Sequence, residues 1–254
     1  MNLKRHYTKV ILTEHEVIKE GPSKLMKIEY EKTINAYRIF EASNVINIPK
    51  VLYFNEQEGK LKFVRIKNVS NVERFQNKSF NNITTASNIG TCLANVHVSY
   101  FLPDDLIIQL PMELEDLNSQ QVFIHGDLTG DNILIDNTNK KIFIIDWMMT
   151  RKHQGKATFG TAYFDLAWFL NYQFYSAINL NYFRREIEKE AYAFLKSYIN
   201  NINYNFDIPE FRKYLINFVN YKINLRRKTL SYYTFLLLLP SHKRFLRFAK
   251  RLAL

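Results

Sequence analysis

Two carboxylates and an amide, set in one short stretch, are the residues of this chain best placed to do chemistry. Between Phe123 and Ile135 the sequence reads Phe-Ile-His-Gly-Asp-Leu-Thr-Gly-Asp-Asn-Ile-Leu-Ile. A turn-rich run, Asp136-Asn137-Thr138-Asn139-Lys140, follows, and then Ile142-Phe143-Ile144-Ile145 delivers Asp146. The pattern predicts a loop, a strand, a turn and a returning strand. Such a hairpin folds Asn132, at the start of one arm, back beside Asp146, at the end of the other. Oxygen ligands of this type suit Mg²⁺, which takes one or two protein ligands and fills its octahedron with water and phosphate oxygens. Asp127, in the loop just before, is placed to accept the proton of an acceptor hydroxyl and orient it for in-line attack. Gly126 and Gly130 give the loop the φ freedom to curl around that site. The chemistry of the set is phosphoryl transfer.

The elements that must position these residues read as a small β-rich unit followed by a mainly helical one, an α+β arrangement. Tyr7 to Leu12 and Glu16 to Lys19 read as short strands around a polar turn. Ser23 is the expected N-cap of a helix running to about Phe40, with Met26, Tyr30, Thr33, Tyr37 and Phe40 at helical spacing. Ile48 to Phe54 and Leu61 to Ile66 read as two more strands, and the polar stretch from Lys67 to Asn71 as a connector. This divides the chain into residues 1–66 and 67–254. Helices are expected at Ile83–Tyr100, Tyr163–Tyr175, Tyr182–Ile199, Phe211–Tyr233 and Ser241–Leu252, around a β-rich island from Val122 to Ile145. Asp165 falls in the apolar stretch Tyr163-Phe164-Asp165-Leu166-Ala167-Trp168. A carboxylate there needs buried donors, which the amides of the catalytic loop would supply.

His125-Gly126-Asp127-Leu128…Asn132 with Ile145-Asp146-Trp147 resembles the aminoglycoside phosphotransferase and choline kinase group of the protein kinase-like superfamily. The resemblance implies a two-lobed kinase-like fold, ATP and Mg²⁺ as cofactors, Asp127 as catalytic base, and Asn132 and Asp146 as metal ligands. It also implies His125 and Asp165 as structural supports of the catalytic loop. The helix carrying Ile89-Gly90…Leu93-Ala94…His97 is similar to another of the group's segments, with His97 read as a core histidine. In the first lobe the resemblance places Lys19 at the nucleotide phosphates, with Glu31 preferred over Glu29 as its ion-pair partner. Val64 to Ile66 would form the hinge that receives the adenine.

Two departures bear on function. Eighteen residues precede Lys19 and contain no glycine, so the glycine-rich hairpin that covers phosphates is shortened or missing. Only eighteen residues separate Asp146 from Asp165, which leaves no room for a long activation segment and disfavours protein substrates.

Composition narrows the rest. The chain has 254 residues, a net charge of +11 and one cysteine, Cys92, which excludes an internal disulfide and a thiolate metal cluster. No apolar run approaches the roughly 20 residues of a spanning helix, and a cytoplasmic protein is expected. The positive charge suits anionic partners, and no nucleic-acid-binding motif accompanies it. The segment Arg151-Lys152-His153-Gln154-Gly155-Lys156 is basic where polycationic antibiotics would need carboxylates. The expected acceptor is therefore a neutral or anionic hydroxyl compound: a sugar, a glycan or a lipid-linked saccharide. From Ser241 onward, Phe245, Phe248 and Leu252 share one helical face and Arg244, Arg247 and Arg251 another. That helix either docks on the helical lobe or lies peripherally on an anionic membrane at its inner face. The alternative to an active kinase is a catalytically silent kinase fold that binds nucleotide or a partner.

Overall fold

The computed structural model describes residues 8–41, 46–72, 82–98, 110, 112–116, 118–139, 141–147, 159–175 and 186–253. The basic segment 151–156, and the ends of the expected elements at Tyr7, Tyr100 and Tyr182, lie outside them.

The N-terminal strands β1 (Lys9–Leu12) and β2 (Glu16–Glu20), with β4 (Val51–Asn55) and β5 (Lys60–Val64), form one antiparallel sheet in the order β1-β2-β5-β4. Helix α1 (Ser23–Phe40) packs on it through Met26, which meets Leu61 and Phe63 in a small core of its own. Tyr30 adds a stacked contact with Phe54 at 4.4 Å. Ser23 is not the cap of this helix. Pro22 occupies that position with φ −56° and ψ 126°, and no side chain closes the first turn. The fixed φ of proline suits this turn, and its carbonyl accepts from Leu25 and Met26.

A second sheet has the order β3-β9-β8-β6 and carries the expected hairpin, β8 (Ile133–Asp136) and β9 (Ile142–Ile144). Its outer members come from the N-terminal stretch. β3 (Ile46–Asn47) pairs in parallel with β9, and β6 (Val69–Asn71) pairs antiparallel with β8. The polar run Lys67–Asn71 is thus more than a connector. A three-residue edge strand carries too little apolar alternation to be visible in sequence, and its pairing comes from the hairpin beside it. A short two-stranded sheet joins β7 (Gln121–Phe123) to β10 (Phe159–Thr161).

The helices are α2 (Asn82–Val98), α3 (Ala162–Tyr175), α4 (Ile187–Asn201), α5 (Ile208–Thr229) and α6 (Tyr232–Arg251). All thirteen described buried positions of α3, Ala162 to Asn171 and Gln173 to Tyr175, face protein, which makes it the central rod of the main core. Two expected helix boundaries move. The chain breaks at Leu230, which is extended, and Ser231 then caps α6 by accepting from the Thr234 amide. α6 continues through Pro240, where proline forfeits a helical hydrogen bond. Tertiary packing outweighs that cost, since Leu238, Ser241, His242, Phe245, Phe248 and Ala249 are all buried around the proline.

This burial fits the docked reading of the last helix. Phe245 stacks on Phe174 at 4.6 Å, Phe248 lies 5.3 Å from the same ring, and Leu252 is fully buried. From Leu238 onward the apolar face is spent on the protein, and Arg247 and Arg251 form a solvated face. Among the described residues, no helix is long and apolar enough to cross a membrane. Cys92 is buried as well, and burial pushes its thiol up to about 12.

Candidate active site

The loop between β7 and β8 is held from below by one carboxylate. Asp165, at the start of α3 and 0% exposed, accepts from the His125 amide at 2.6 Å and the Gly126 amide at 3.0 Å. The expected loop-amide donors are therefore present. His97 of α2 approaches the same carboxylate through Nε2 at 3.4 Å, and its Nδ1 meets the Tyr198 hydroxyl at 2.7 Å. Burial alone would raise the Asp165 carboxyl. The His97 hydrogen bond, the charges of His97 and His125, and the Gly126 amide outweigh burial and hold it below its ordinary value.

His125 joins the loop to the hairpin. Its Nε2 donates to the Ile145 carbonyl at 2.9 Å, and its Nδ1 accepts from the Asp127 amide at 3.2 Å, which fixes the tautomer. Burial pushes the imidazole down to about 4, so the ring is neutral at physiological pH. Lys32 of α1 reaches across and donates to the His125 carbonyl at 2.9 Å. Burial lowers that lysine to about 8, against the opposing pull of Asp165 and Asp127.

Asp127 sits above this brace. Its Oδ1 accepts from the Trp168 indole at 2.9 Å, and its backbone carbonyl accepts from the Asn132 amide at 2.9 Å. Burial raises the Asp127 carboxyl to about 6, despite the Trp168 hydrogen bond and the nearby charge of Lys222. Asn132 thus spends its Nδ2 on the loop and keeps its Oδ1 for another partner. The Ile145 amide donates to the Asn132 carbonyl at 3.0 Å, which fastens the residue before Asp146 to the base of the loop. Asp146 itself adopts a left-handed φ of +61°, a conformation that costs an aspartate little. The two loop glycines serve different ends. Gly126 has φ +92°, whereas Gly130 is required by the Tyr172 ring, which a Cβ would meet at 2.3 Å.

On the opposite side, Lys19 of β2 lies between two carboxylates. Its Nζ donates to Glu29 Oε1 at 2.5 Å and contacts Asp146 Oδ1. The partner from α1 is Glu29, not Glu31. The two glutamates are two residues apart, about 200° around a helix, so only one can face the sheet. Glu29 is 1% exposed on the face that carries Met26 and Thr33, while Glu31 points to solvent. Val64 ends β5 and accepts no covering side chain, being 38% exposed, and its amide donates to the Lys50 carbonyl at 2.9 Å. Ile66 lies two residues on, half-buried. Between them Arg65 ties this stretch to the β1–β2 turn, its amide donating to the His15 carbonyl and its guanidinium to that of Thr13.

The donor set fits a magnesium ion. Asn132 and Asp146 offer two hard oxygens at the end of a rigid hairpin, the number such an ion takes beside phosphate. Among the described residues no group of three or more His, Cys, Asp or Glu side chains forms a separate metal cluster.

Residues 95–198 match the family model described as the phosphotransferase enzyme family, a span that includes Asp127, Asn132, Asp146 and Asp165. Over that span the chain is similar to the phosphotransferase enzyme family, and its fold is kinase-like. Among solved structures it is similar to an aminoglycoside-3'-phosphotransferase of type VIII, with a TM-score of 0.57 and 15% identity over 83% of this chain and 93% of that one. The ADP-bound aminoglycoside phosphotransferase APH(2'')-Ib gives a TM-score of 0.54 and 15% identity over 97% and 94%. Choline kinase LicA from Streptococcus pneumoniae gives 0.50 and 14% over 94% and 88%. At such identities the likeness is one of fold. No curated protein matches the chain.

The kinase-like fold brings Asp127, Asn132, Asp146, Lys19, His125 and Asp165 together. It leaves Glu31 outside it. Sequence reasoning ranked Glu29 second and missed three side chains that shape the site: Lys32, Trp168 and Lys222. Glu29 and Lys32 had a usable signal, since both fall on the buried stripe of α1 with Met26 and Ala36. Trp168 and Lys222 sit at ordinary positions of long helices, and only the tertiary fold aims them at Asp127.

Proposed function

We propose that this enzyme transfers the γ-phosphate of ATP to a hydroxyl of a neutral or anionic small molecule, such as a sugar, a glycan or a lipid-linked saccharide. The observation that carries this reading is the placement of Asp127. Its carboxylate is fixed by Trp168, its backbone is tied to Asn132, and the Asp146–Lys19 pair closes the other side of the cleft.

In the reaction, the acceptor oxygen forms a bond to the γ-phosphorus while the bond from that phosphorus to the bridging β–γ oxygen breaks and ADP leaves. Asp127 takes the hydroxyl proton and aligns the attacking oxygen. A carboxylate raised to about 6 is ionised at physiological pH yet basic enough to accept that proton. Lys19 contributes a positive charge for the phosphates, and Glu29 holds it in place. Mg²⁺, held by Asn132 and Asp146, would neutralise phosphate charge as it accumulates. The α3–α5 wall beside Asp127 presents Trp168, Asn171, Lys222 and Arg226, with no carboxylate among them, which supports a neutral or anionic acceptor over a polycation.

The test is a screen of hydroxyl acceptors with Mg·ATP, scored by the mass shift of one phosphate. Transfer to sugars or their conjugates is expected. Transfer to aminoglycosides or choline alone would overturn the acceptor assignment.

A further inference from the structure

Helices α3 and α5 pack against each other beside Asp127, and the side chains between them include two cations. Trp168, Asn171 and Tyr175 follow one another along α3 at intervals of three and four residues. Lys222 and Arg226 face them from α5, one turn apart. Lys222 is 7% exposed, with its Nζ 3.8 Å from the centroid of the Trp168 ring. Arg226 lays its guanidinium 3.5 Å above the Tyr175 ring and donates through Nη2 to Asn171 Oδ1 at 3.1 Å. Its Nη1 is buried and has no hydrogen-bond partner among the described residues. Behind it, His242 meets the Tyr175 hydroxyl through Nδ1, and its Nε2 is also buried without a partner.

A guanidinium carries five N–H donors in a planar fork, and one amide oxygen, the Tyr175 ring face and the Tyr175 hydroxyl leave that fork under-used. Burying a cation without a counter-charge costs several kcal/mol, and among the described residues no carboxylate is paired with Arg226. Purely structural packing would be served as well by an uncharged side chain. The orphaned Nη1, one turn from a buried lysine that itself lies against the residue holding Asp127, is the arrangement expected of a preformed anion site.

We propose that Lys222 and Arg226 bind a phosphate group of the acceptor and thereby place its hydroxyl at Asp127. The acceptor is then an alcohol that already carries a phosphomonoester or phosphodiester. At 1.5 Å rise per residue, the turn from Lys222 to Arg226 spans about 6 Å and the run from Trp168 to Tyr175 about 10 Å. The anion therefore sits roughly 6–10 Å from the reacting hydroxyl, the reach of a hexose phosphate or a phosphoglycerol headgroup. This proposal deepens the kinase reading above and rests on it for the hydroxyl's fate, but not for the anion site itself.

The experiment has a kinetic arm and a binding arm, each run on the parent, Arg226→Gln and Arg226→Lys. The kinetic arm compares glucose with glucose 6-phosphate and glycerol with glycerol 3-phosphate, and adds vesicles of phosphatidylglycerol. The parent should prefer the phosphorylated member of a pair by at least about tenfold in kcat/KM. Arg226→Gln should raise KM for that member about 10- to 100-fold, with kcat changed less than about threefold, so that the preference disappears. Arg226→Lys should recover part of it. A preference confined to the vesicles assigns the phosphate to a lipid headgroup, and one confined to the soluble pairs assigns it to a free sugar phosphate. The binding arm titrates glycerol 3-phosphate by calorimetry in the presence of Mg·ADP. Binding by the parent that weakens in Arg226→Gln supports the site even if no transfer occurs, in which case the kinase reading fails and the anion site stands. Equal use of phosphorylated and neutral acceptors, a matched loss of kcat on both in Arg226→Gln, or parent and variant titrations that coincide would overturn the proposal.

Discussion

Lys19 stands on a four-stranded sheet whose buried core is Met26, Leu61 and Phe63, whereas Asp127 stands on a loop pinned by Asp165 into the main core of the molecule. The first arrangement relies on charge. Lys19 is held by Glu29 and Asp146, and little apolar burial backs the sheet that carries it. The second relies on buried hydrogen bonds, with two loop amides and His97 converging on a single carboxylate. Local opening is easiest where few apolar contacts resist it. The Lys19 side is therefore the yielding half of the site and the Asp127 loop the rigid half. Under the proposed function, the geometry for proton transfer is set in advance, while the phosphate side can adjust as nucleotide enters.

The contrast breaks most visibly at Asp165. Asp165→Ala strands the His125 and Gly126 amides in the core, at about 1–3 kcal/mol for each unsatisfied donor, and lets the loop drift. We expect a fall of several kcal/mol in unfolding free energy by denaturant titration, together with loss of turnover. A variant as stable as the parent would mean that the loop holds its shape without this anchor.

Lys19→Ala should do the opposite, costing function more than fold. Loss of charge-assisted contacts of about 1.5–3 kcal/mol predicts a fall of about 10- to 100-fold in kcat/KM for ATP, seen in KM as well as kcat. An unchanged KM in steady-state kinetics would show that another cation holds the phosphates.

A third effect concerns Asp127 and stability. Its folded-state carboxyl is raised to about 6, above the unfolded value, so the folded protein binds the proton more tightly. Stability contributed by that proton is fully present below about pH 4 and is lost as pH rises through 6. Asp127→Asn should therefore stabilise the ligand-free protein by about 3 kcal/mol at pH 7.5 and by almost nothing at pH 4. Thermal unfolding at the two pH values checks this, and a pH-independent difference would remove the carboxyl's burial as the cause.

The smallest effect separates the two glutamates of α1. Glu29→Gln should raise the KM for ATP by a few-fold, since the amide still meets Lys19 without the charge. Glu31→Ala should leave it unchanged. The reverse ranking, measured on the same ATP titration, would return Glu31 to the site.

Much of the rigid half was legible in sequence, because the chain writes it locally. His125, Asp127, Asn132 and Asp146 lie within one loop and hairpin, and a polar residue in the apolar run around Asp165 announces that donors must meet it. The yielding half was read less well. The preference for Glu31 over Glu29 left out the helical stripe, although Met26, Glu29 and Thr33 define the buried face. The strand Val69–Asn71 was missed because its three residues pair only by virtue of the hairpin 63 to 67 positions later in the chain. Trp168, Lys222 and Arg226 carry no local signature at all. Their roles arise from the crossing of α3 and α5, which is a property of the packed core.

The most direct test of the account is the pH dependence of kcat/KM for phosphoryl transfer in the parent and in Asp127→Asn. In the parent the rate should climb about tenfold per pH unit up to about pH 6 and level off above it, as Asp127 loses its proton. In Asp127→Asn the rate should lie about 10²- to 10⁴-fold lower, with that step gone and Mg·ATP affinity preserved. Near-parental turnover in the asparagine variant, with the step near pH 6 intact, would contradict the assignment of Asp127 as the base.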